Sequence, residues 1–318
     1  MIGHTQLVQI PRVTIGIPVH NGEKYIREAL DSVVAQTFED YEVIISDNAS
    51  DDGTQSICTD YRDRYPRMTY VRQHENIGVY ENFRFVTYNA TGKFITWLAH
   101  DDALMPGFLE ETVRYMSQHA GTVLVASDFE IIDDEGATLG IELLTRIRDH
   151  LSWRRRCAEF FKFPSSNVFY CIYGLMMADT LKSGLRSVGA PAIGDGSEMP
   201  ILARLAVEGE IASIPIVLRK YRRHNSSFYL REVAEIASMP ILRRTSIRSG
   251  NSYRIRLDQM TVLWSSPSSK FFKWSISTNA LLFYSQFSLA RVVRFSLRMF
   301  TAMKSSVMGF LTELQKRL

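Results

Sequence analysis

The chain has 318 residues, enough for one large domain or one domain with a substantial appendage, and its 46% hydrophobic and 22% charged residues are ordinary for a protein with a real core. Three scattered cysteines (Cys58, Cys157 and Cys171) show no metal spacing and fit a reducing compartment. Residues 1–11 lack the basic and apolar parts of a secretory signal, and no run of about 18 apolar residues suggests a membrane span. The net charge of +3 is unevenly spread: from Arg219 onward 18 Lys/Arg stand against 4 Asp/Glu (+14), and before it 19 stand against 30 (−11). An acidic core followed by a basic C-terminal region argues against a nucleic-acid binder and suggests a region that seeks anionic surfaces.

In chain order, Val13-Thr14-Ile15-Gly16-Ile17 reads as a first buried strand that stops at Pro18. The loop Val19-His20-Asn21-Gly22 precedes a helix whose Ile26, Ala29, Leu30, Val33 and Val34 form one apolar stripe. Glu42-Val43-Ile44-Ile45-Ser46 is the second strand, and strand, helix and strand in this length imply a right-handed unit with parallel strands. A polar loop, Asp47-Asn48-Ala49-Ser50-Asp51-Asp52-Gly53-Thr54, leads into a helix over residues 55–64. Thr69-Tyr70-Val71-Arg72 is a short strand, His74-Glu75-Asn76-Ile77-Gly78-Val79 a loop, and residues 80–89 a helix.

Phe94-Ile95-Thr96-Trp97 is the next strand, and it runs into His100-Asp101-Asp102 before Met105-Pro106-Gly107 opens a helix with Phe108, Leu109, Thr112, Val113 and Met116 on its apolar side. Carboxylates at the C-terminal edge of such a sheet lie where α/β folds place ligands. Two of them together repel unless a cation intervenes, and oxygen ligands favour Mg²⁺ or Mn²⁺. The bland alternative is an Asp-Asp turn that caps the following helix. Val123-Leu124-Val125-Ala126 continues the alternation, which argues for an α/β sheet with helices on both faces.

Residues 131–140 suggest a hairpin with its turn at Asp133-Asp134-Glu135-Gly136. Residues 153–163 pattern as a helix broken at 164–167, residues 170–177 as a strand, 189–196 as a loop and 199–208 as a helix. Residues 211–221 form a strand that Pro215 forces to an edge or a bulge. Beyond Arg231 the patterns are helical, and residues 287–311 carry a basic amphipathic one that suits an anionic membrane or packing on the domain or a second subunit.

Taken together, the run from Val13 to Asn21 with Glu23, the Asp47–Thr54 loop, Asn76-Ile77-Gly78, Gly92-Lys93-Phe94, His100-Asp101-Asp102 with Pro106 and, more weakly, Tyr221-Arg222-Arg223-His224 resemble the family 2 glycosyltransferases of GT-A fold over roughly two-thirds of the chain. The resemblance implies a glycosyltransferase domain over residues 1–228, with a nucleotide-sugar half at about 10–128 and an acceptor half at about 129–228, and a basic helical region over 229–318. It implies an inverting transfer from a nucleotide-diphosphate sugar to a hydroxyl of a saccharide or lipid-linked acceptor, with Mn²⁺ or Mg²⁺ as cofactor. The expected setting is cell-surface polysaccharide or glycolipid synthesis, in the cytoplasm or at the inner face of the membrane.

Matched position by position, Pro18, His20, Asn21, Glu23 and Asp47 fall on the family's nucleotide site, Asn76 is a further substrate-binding position, and Asp101 falls on its metal position with Asp102 beside it. Ala99 stands where the family's DXD motif has its first aspartate, and His100 could take part of that residue's contact with the ribose. Arg222 and Arg223 match a region that closes on the diphosphate, and the resemblance makes His224 a candidate for a second metal ligand. Glu198 falls at the catalytic base, with Asp195 as the other choice. Two alternatives stay open: a non-catalytic nucleotide-sugar-binding assembly subunit, which the missing aspartate makes credible, and a sugar nucleotidyltransferase, which Ile15-Gly16-Ile17-Pro18 disfavours because it is not a glycine-rich basic loop. No Gly-x-Gly-x-x-Gly follows the first strand, which disfavours a dehydrogenase.

Overall fold

The computed structural model describes residues 12–144, 167–187 and 198–224. They build one mixed sheet of nine strands in the order β3-β2-β1-β4-β8-β6-β9-β5, with β7 paired to β6 off that path. Its first half is parallel: β1 (Val13–Val19) lies between β2 (Tyr41–Asp47) and β4 (Phe94–Trp97), with β3 (Met68–Arg72) outside β2.

The alternation along β1 sorts the helices. Val13, Ile15, Ile17 and Val19 face one core, shared with Ile26, Ala29, Leu30 and Val33 of α1 (Ile26–Val34), Cys58 and Tyr61 of α2 (Thr54–Arg64), and Phe108, Leu109 and Val113 of α4 (Phe108–Gln118). Gly16 faces the other side, where a Cβ would meet Val86 of α3 (Val79–Asn89) at 2.8 Å. Helix α3 in turn packs on α5 (Ala178–Ser187), and α5 on α6 (Glu198–Glu208). Every residue of β1 is buried, as a strand covered on both faces requires.

The second half of the sheet is built on β6 (Thr122–Ile132). It pairs antiparallel with β8 (Leu175–Met177) and β7 (Thr138–Glu142), and parallel with β9 (Glu210–Arg222), which carries the two-residue β5 (Ala103–Leu104) on its far side. Because β8 runs antiparallel to both β4 and β6, the C-terminal ends of β1, β2, β4, β6 and β9 share one sheet edge.

Several local expectations change. Strand β1 passes through Pro18 to Val19, because pairing with β4 ends at Gly16↔Trp97 and no β4 carbonyl awaits the N–H that proline lacks. Residues 170–177 are not one strand: Val168–Tyr173 winds as a 3-10 helix and only Leu175–Met177 is extended. Gly174 makes the junction, where a Cβ would lie 2.4 Å from the carbonyl oxygen of Val125. Strand β5, between the carboxylates and α4, had no sequence signal. Pro215 does sit at a bulge, since the β6–β9 register jumps from Ser127↔Ile214 to Asp128↔Val217. The helix expected over 153–163, the loop over 189–196, the patterns beyond Arg231 and the domain boundary near 228 lie outside the described residues.

Candidate active site

Two polar loops meet beyond β1 and β2. Asn21 adopts φ 52°, a left-handed conformation that asparagine tolerates, and its neighbours lace the loops together. Asn21 N donates to Ser50 Oγ (2.9 Å), Gly22 N to Thr54 Oγ1 (2.8 Å) and Glu23 N to Asp52 Oδ2 (3.0 Å). In return Asp51 N donates to Asn21 Oδ1 (2.9 Å) and Gly53 N to Glu23 Oε2 (2.6 Å). Burial pulls the Asp52 carboxyl upward, but the donors from Thr54 and Glu23 outweigh it and hold it below its ordinary range.

Asp47, expected at the nucleotide, is fully buried. Its carboxylate accepts from Tyr70 Oη (2.6 Å), Ser50 N (2.9 Å) and Arg72 (3.3 Å). It therefore shapes the second loop from beneath, and Pro18 is likewise buried under the first. His20 and Asn76 are exposed and adjacent, His20 Nε2 lying 3.3 Å from Asn76 Nδ2. Asn76 Oδ1 is held by Asn48 Nδ2 (2.8 Å) and Gly78 N (2.9 Å). Gly22 leaves room for His100, whose ring would lie 2.7 Å from a Cβ at that position, so the carboxylate stretch and the first loop touch there.

The carboxylate stretch itself follows β4, where Leu98 N still donates to Gly16 O (3.0 Å) and Asp102 N then closes a turn on Ala99 O (3.1 Å). The turn sends its two aspartates apart. Asp101 remains partly open, and its Oδ2 lies 2.9 Å from Nε2 of His224, a residue 123 positions later at the end of β9. Burial pushes the Asp101 carboxyl up, yet the His224 hydrogen bond and the nearby His100 and His224 charges prevail and hold it below the usual carboxylate range.

Asp102 turns inward instead. It is 2% exposed, with Arg219 Nη2 at 3.3 Å and the backbone N of Arg222 at 3.0 Å from its oxygens. Burial raises Asp102, and the Asp101 charge adds to that; burial also lowers Arg219, so each partner's charge relies on the other. Arg222, expected on the diphosphate, is buried too and engaged entirely within the protein. Asp102 and Arg222 thus brace the site, where the sequence reading places them at the substrate. Arg223 is the exposed arginine of the pair, with its backbone N on Ile132 O (2.8 Å).

Glu198 is the first residue of α6, and Asp195 lies outside the described residues. Sequence reasoning missed Tyr25, Glu28, Asp134 and Arg219. Tyr25 and Glu28 stand at the start of α1, Asp134 in the β6–β7 turn and Arg219 on β9, and no local spacing joins these three distant segments.

Among the described residues no three His, Cys, Asp or Glu side chains converge on a metal position. The donor set present is one ionised carboxylate and one imidazole nitrogen. The carboxylate suits Mn²⁺ or Mg²⁺ with water and phosphate oxygens completing the shell, and the imidazole, a transition-metal donor, makes the pair a better fit for Mn²⁺.

A family model described as Glycosyl transferase family 2 matches residues 14–178, just over half of the chain. An uncharacterised glycosyltransferase of Rickettsia prowazekii is 34% identical over 135 residues, 42% of this chain and 41% of that protein, so the chain spans about two-fifths of that relative's length. Among solved structures, S. aureus TarS 1-349 in complex with UDP-GlcNAc aligns at a TM-score of 0.55 and 16% identity, covering 82% of this chain and 75% of that one. The mannosyltransferase PcManGT from Pyrobaculum calidifontis, in complex with GDP-Man and Mn2+, aligns at 0.50 and 16%, covering 94% and 87%. Identities this low speak for the fold, and the fold is the expected GT-A arrangement of a mostly parallel sheet between helices.

Proposed function

Because the chain belongs to glycosyl transferase family 2, we propose that it moves a sugar, with inversion, from a nucleotide-diphosphate sugar to a hydroxyl of a saccharide or lipid-linked acceptor. The observation that carries this reading is the Asp101–His224 pair at the shared sheet edge, at the end of β4 and beside the two laced loops. Asp101 and His224 are the residues that would hold Mn²⁺ or Mg²⁺, whose positive charge would neutralise the departing diphosphate. The GDP-Man and Mn2+ of the Pyrobaculum calidifontis structure and the UDP-GlcNAc of TarS support a donor and a cation of this kind.

The chain's own groups then take these roles. His20, Asn21, Glu23 and Asn76 offer the nucleotide an exposed polar rim, with Asp47 and Pro18 fixing its backbone from below. His100 ties that rim to the carboxylate turn. Arg223 reaches a phosphate with a charged planar fork. Glu198, or Asp195 before it, takes the proton of the acceptor hydroxyl as its oxygen forms the new bond to the anomeric carbon and the nucleoside diphosphate leaves.

Calorimetry with UDP-, GDP- and dTDP-sugars tests the donor site. One donor should bind with Mn²⁺ present, and its affinity should fall at least tenfold in EDTA or in Asp101→Ala. Absence of binding by every donor, or binding indifferent to both changes, overturns the assignment.

A further inference from the structure

Arg222 ends β9 two residues before His224, and its side chain is 1% exposed. A guanidinium so buried needs an acceptor for nearly every N–H, and this one has them on separate elements. Nε donates to the backbone oxygen of Asp101 (3.0 Å). Nη1 donates to the backbone oxygens of Asp133 (2.9 Å) and Asp134 (3.2 Å) in the β6–β7 turn, and Nη2 pairs with the Glu28 carboxylate on α1. Its own backbone N is the donor that occupies Asp102 Oδ1.

The ring of Tyr25, just before α1, completes the arrangement. The Arg222 guanidinium lies 4.9 Å from its centroid, and the same ring lies 4.7 Å from that of His224. Tyr25 Oη donates to the Asp134 carboxylate, which also pairs with Lys24. Four segments therefore converge on one side chain: the entry to α1, the carboxylate turn, the β6–β7 turn and the end of β9. Two of them carry Asp101 and His224.

We propose that Arg222 is a positioning residue: it fixes the Asp101 backbone and the His224 ring relative to each other and makes no contact with substrate phosphate. The inference rests on the reading of Asp101 and His224 as the cation-holding pair, but its content is the geometry of that pair. Lysine cannot replace the arginine, because a single ammonium cannot serve acceptors that lie around a planar fork on three elements.

The test reads His224 directly in the full-length, metal-free protein. Imidazole ¹⁵N–¹H correlation spectra, with His224 assigned through His224→Gln, are compared for the native protein and Arg222→Lys. The expected result is a displaced and broadened His224 Nε2 signal in Arg222→Lys, with a weakening of Mn²⁺ binding, measured with the metal alone by electron paramagnetic resonance, of roughly tenfold. A residue important only for stability would lower the unfolding midpoint and leave the His224 signal in place, and that outcome overturns the proposal. Should Arg222→Lys fail to fold, Glu28→Gln removes the half-exposed partner and decides: a smaller displacement in the same direction is expected, and an unmoved signal overturns it. Failure of the native protein to bind Mn²⁺ counts against the cation reading, and the His224 spectrum then judges the positioning role by itself.

Discussion

At the scale of single residues, the consequential fact is that two adjacent aspartates do different work. Asp101 keeps an open edge and meets His224, while Asp102 is sealed against Arg219 and the Arg222 backbone. Removing either member of the Asp101–His224 pair should therefore cost chemistry. Asp101→Ala and His224→Ala are each expected to lower turnover of the folded protein by on the order of 10²–10³, the size of a lost charge-stabilising group. Equal turnover in His224→Ala would remove His224 from the site.

The order of motifs brought Asp101 and His224 forward together as metal ligands, and the structure sets their side chains 2.9 Å apart. The same order also brought forward Asp102, Arg222 and Asp47 as substrate contacts, and these turn inward. Composition and order show that an acid lies at a strand end. They do not show which of two neighbours faces solvent after a turn, because that depends on partners such as Arg219 and Tyr70, the former 117 positions away from Asp102.

At the scale of elements, loops held by side chains position the site, and those contacts can be weighed. Asp52 accepts from Thr54 N (3.0 Å), Thr54 Oγ1 and Glu23 N, joining the start of α2 to the loop before α1. Asp52→Asn should cost about 0.5–1 kcal/mol at pH 7, at the low end for such a contact because the group is partly solvated. The folded carboxyl titrates below its unfolded value, so its contribution is present above the unfolded pKa and is lost as pH falls through the folded one. The gap between native and Asp52→Asn in urea titrations should thus be full near pH 7 and close in acid; a gap that widened in acid would contradict this assignment.

Gly174 tests the junction of the 3-10 helix with β8. Its φ of −76° suits any residue, so Gly174→Ala acts only through the 2.4 Å approach to the Val125 carbonyl. Backbone yields poorly there, and a loss of about 1–3 kcal/mol is expected in denaturant titrations. A neutral substitution would mean that β6 and β8 can part at small cost. The strands were readable where apolar runs were uninterrupted. The 3-10 turn was not, since Val168 to Tyr173 is as apolar as a strand and the close approach at Gly174 that follows it is a tertiary contact.

At the scale of the whole chain, charge divides along the sequence. From Arg219 the excess of 18 Lys/Arg over 4 Asp/Glu continues through the region that follows the sheet. Among the described residues no helix is long and apolar enough to cross a membrane. We propose that residues 229–318 bind an anionic bilayer surface, where each basic side chain at the interface contributes about 1 kcal/mol. Full-length protein should float with liposomes rich in anionic lipid and lose that association as salt rises, and a truncation after residue 228 should stay behind. Flotation of both forms, or of neither, contradicts the proposal.

The central claim is that the Asp101–His224 edge serves metal-dependent sugar transfer, and release of nucleoside diphosphate tests it most directly. UDP-, GDP- and dTDP-sugars are incubated with the full-length protein in Mn²⁺, Mg²⁺ or EDTA, with saccharide and lipid-linked acceptors supplied. The account predicts release from one donor, at least a hundredfold slower in EDTA and in Asp101→Ala. Release that persists undiminished in EDTA and in Asp101→Ala, or no release from any donor with any acceptor, would contradict it.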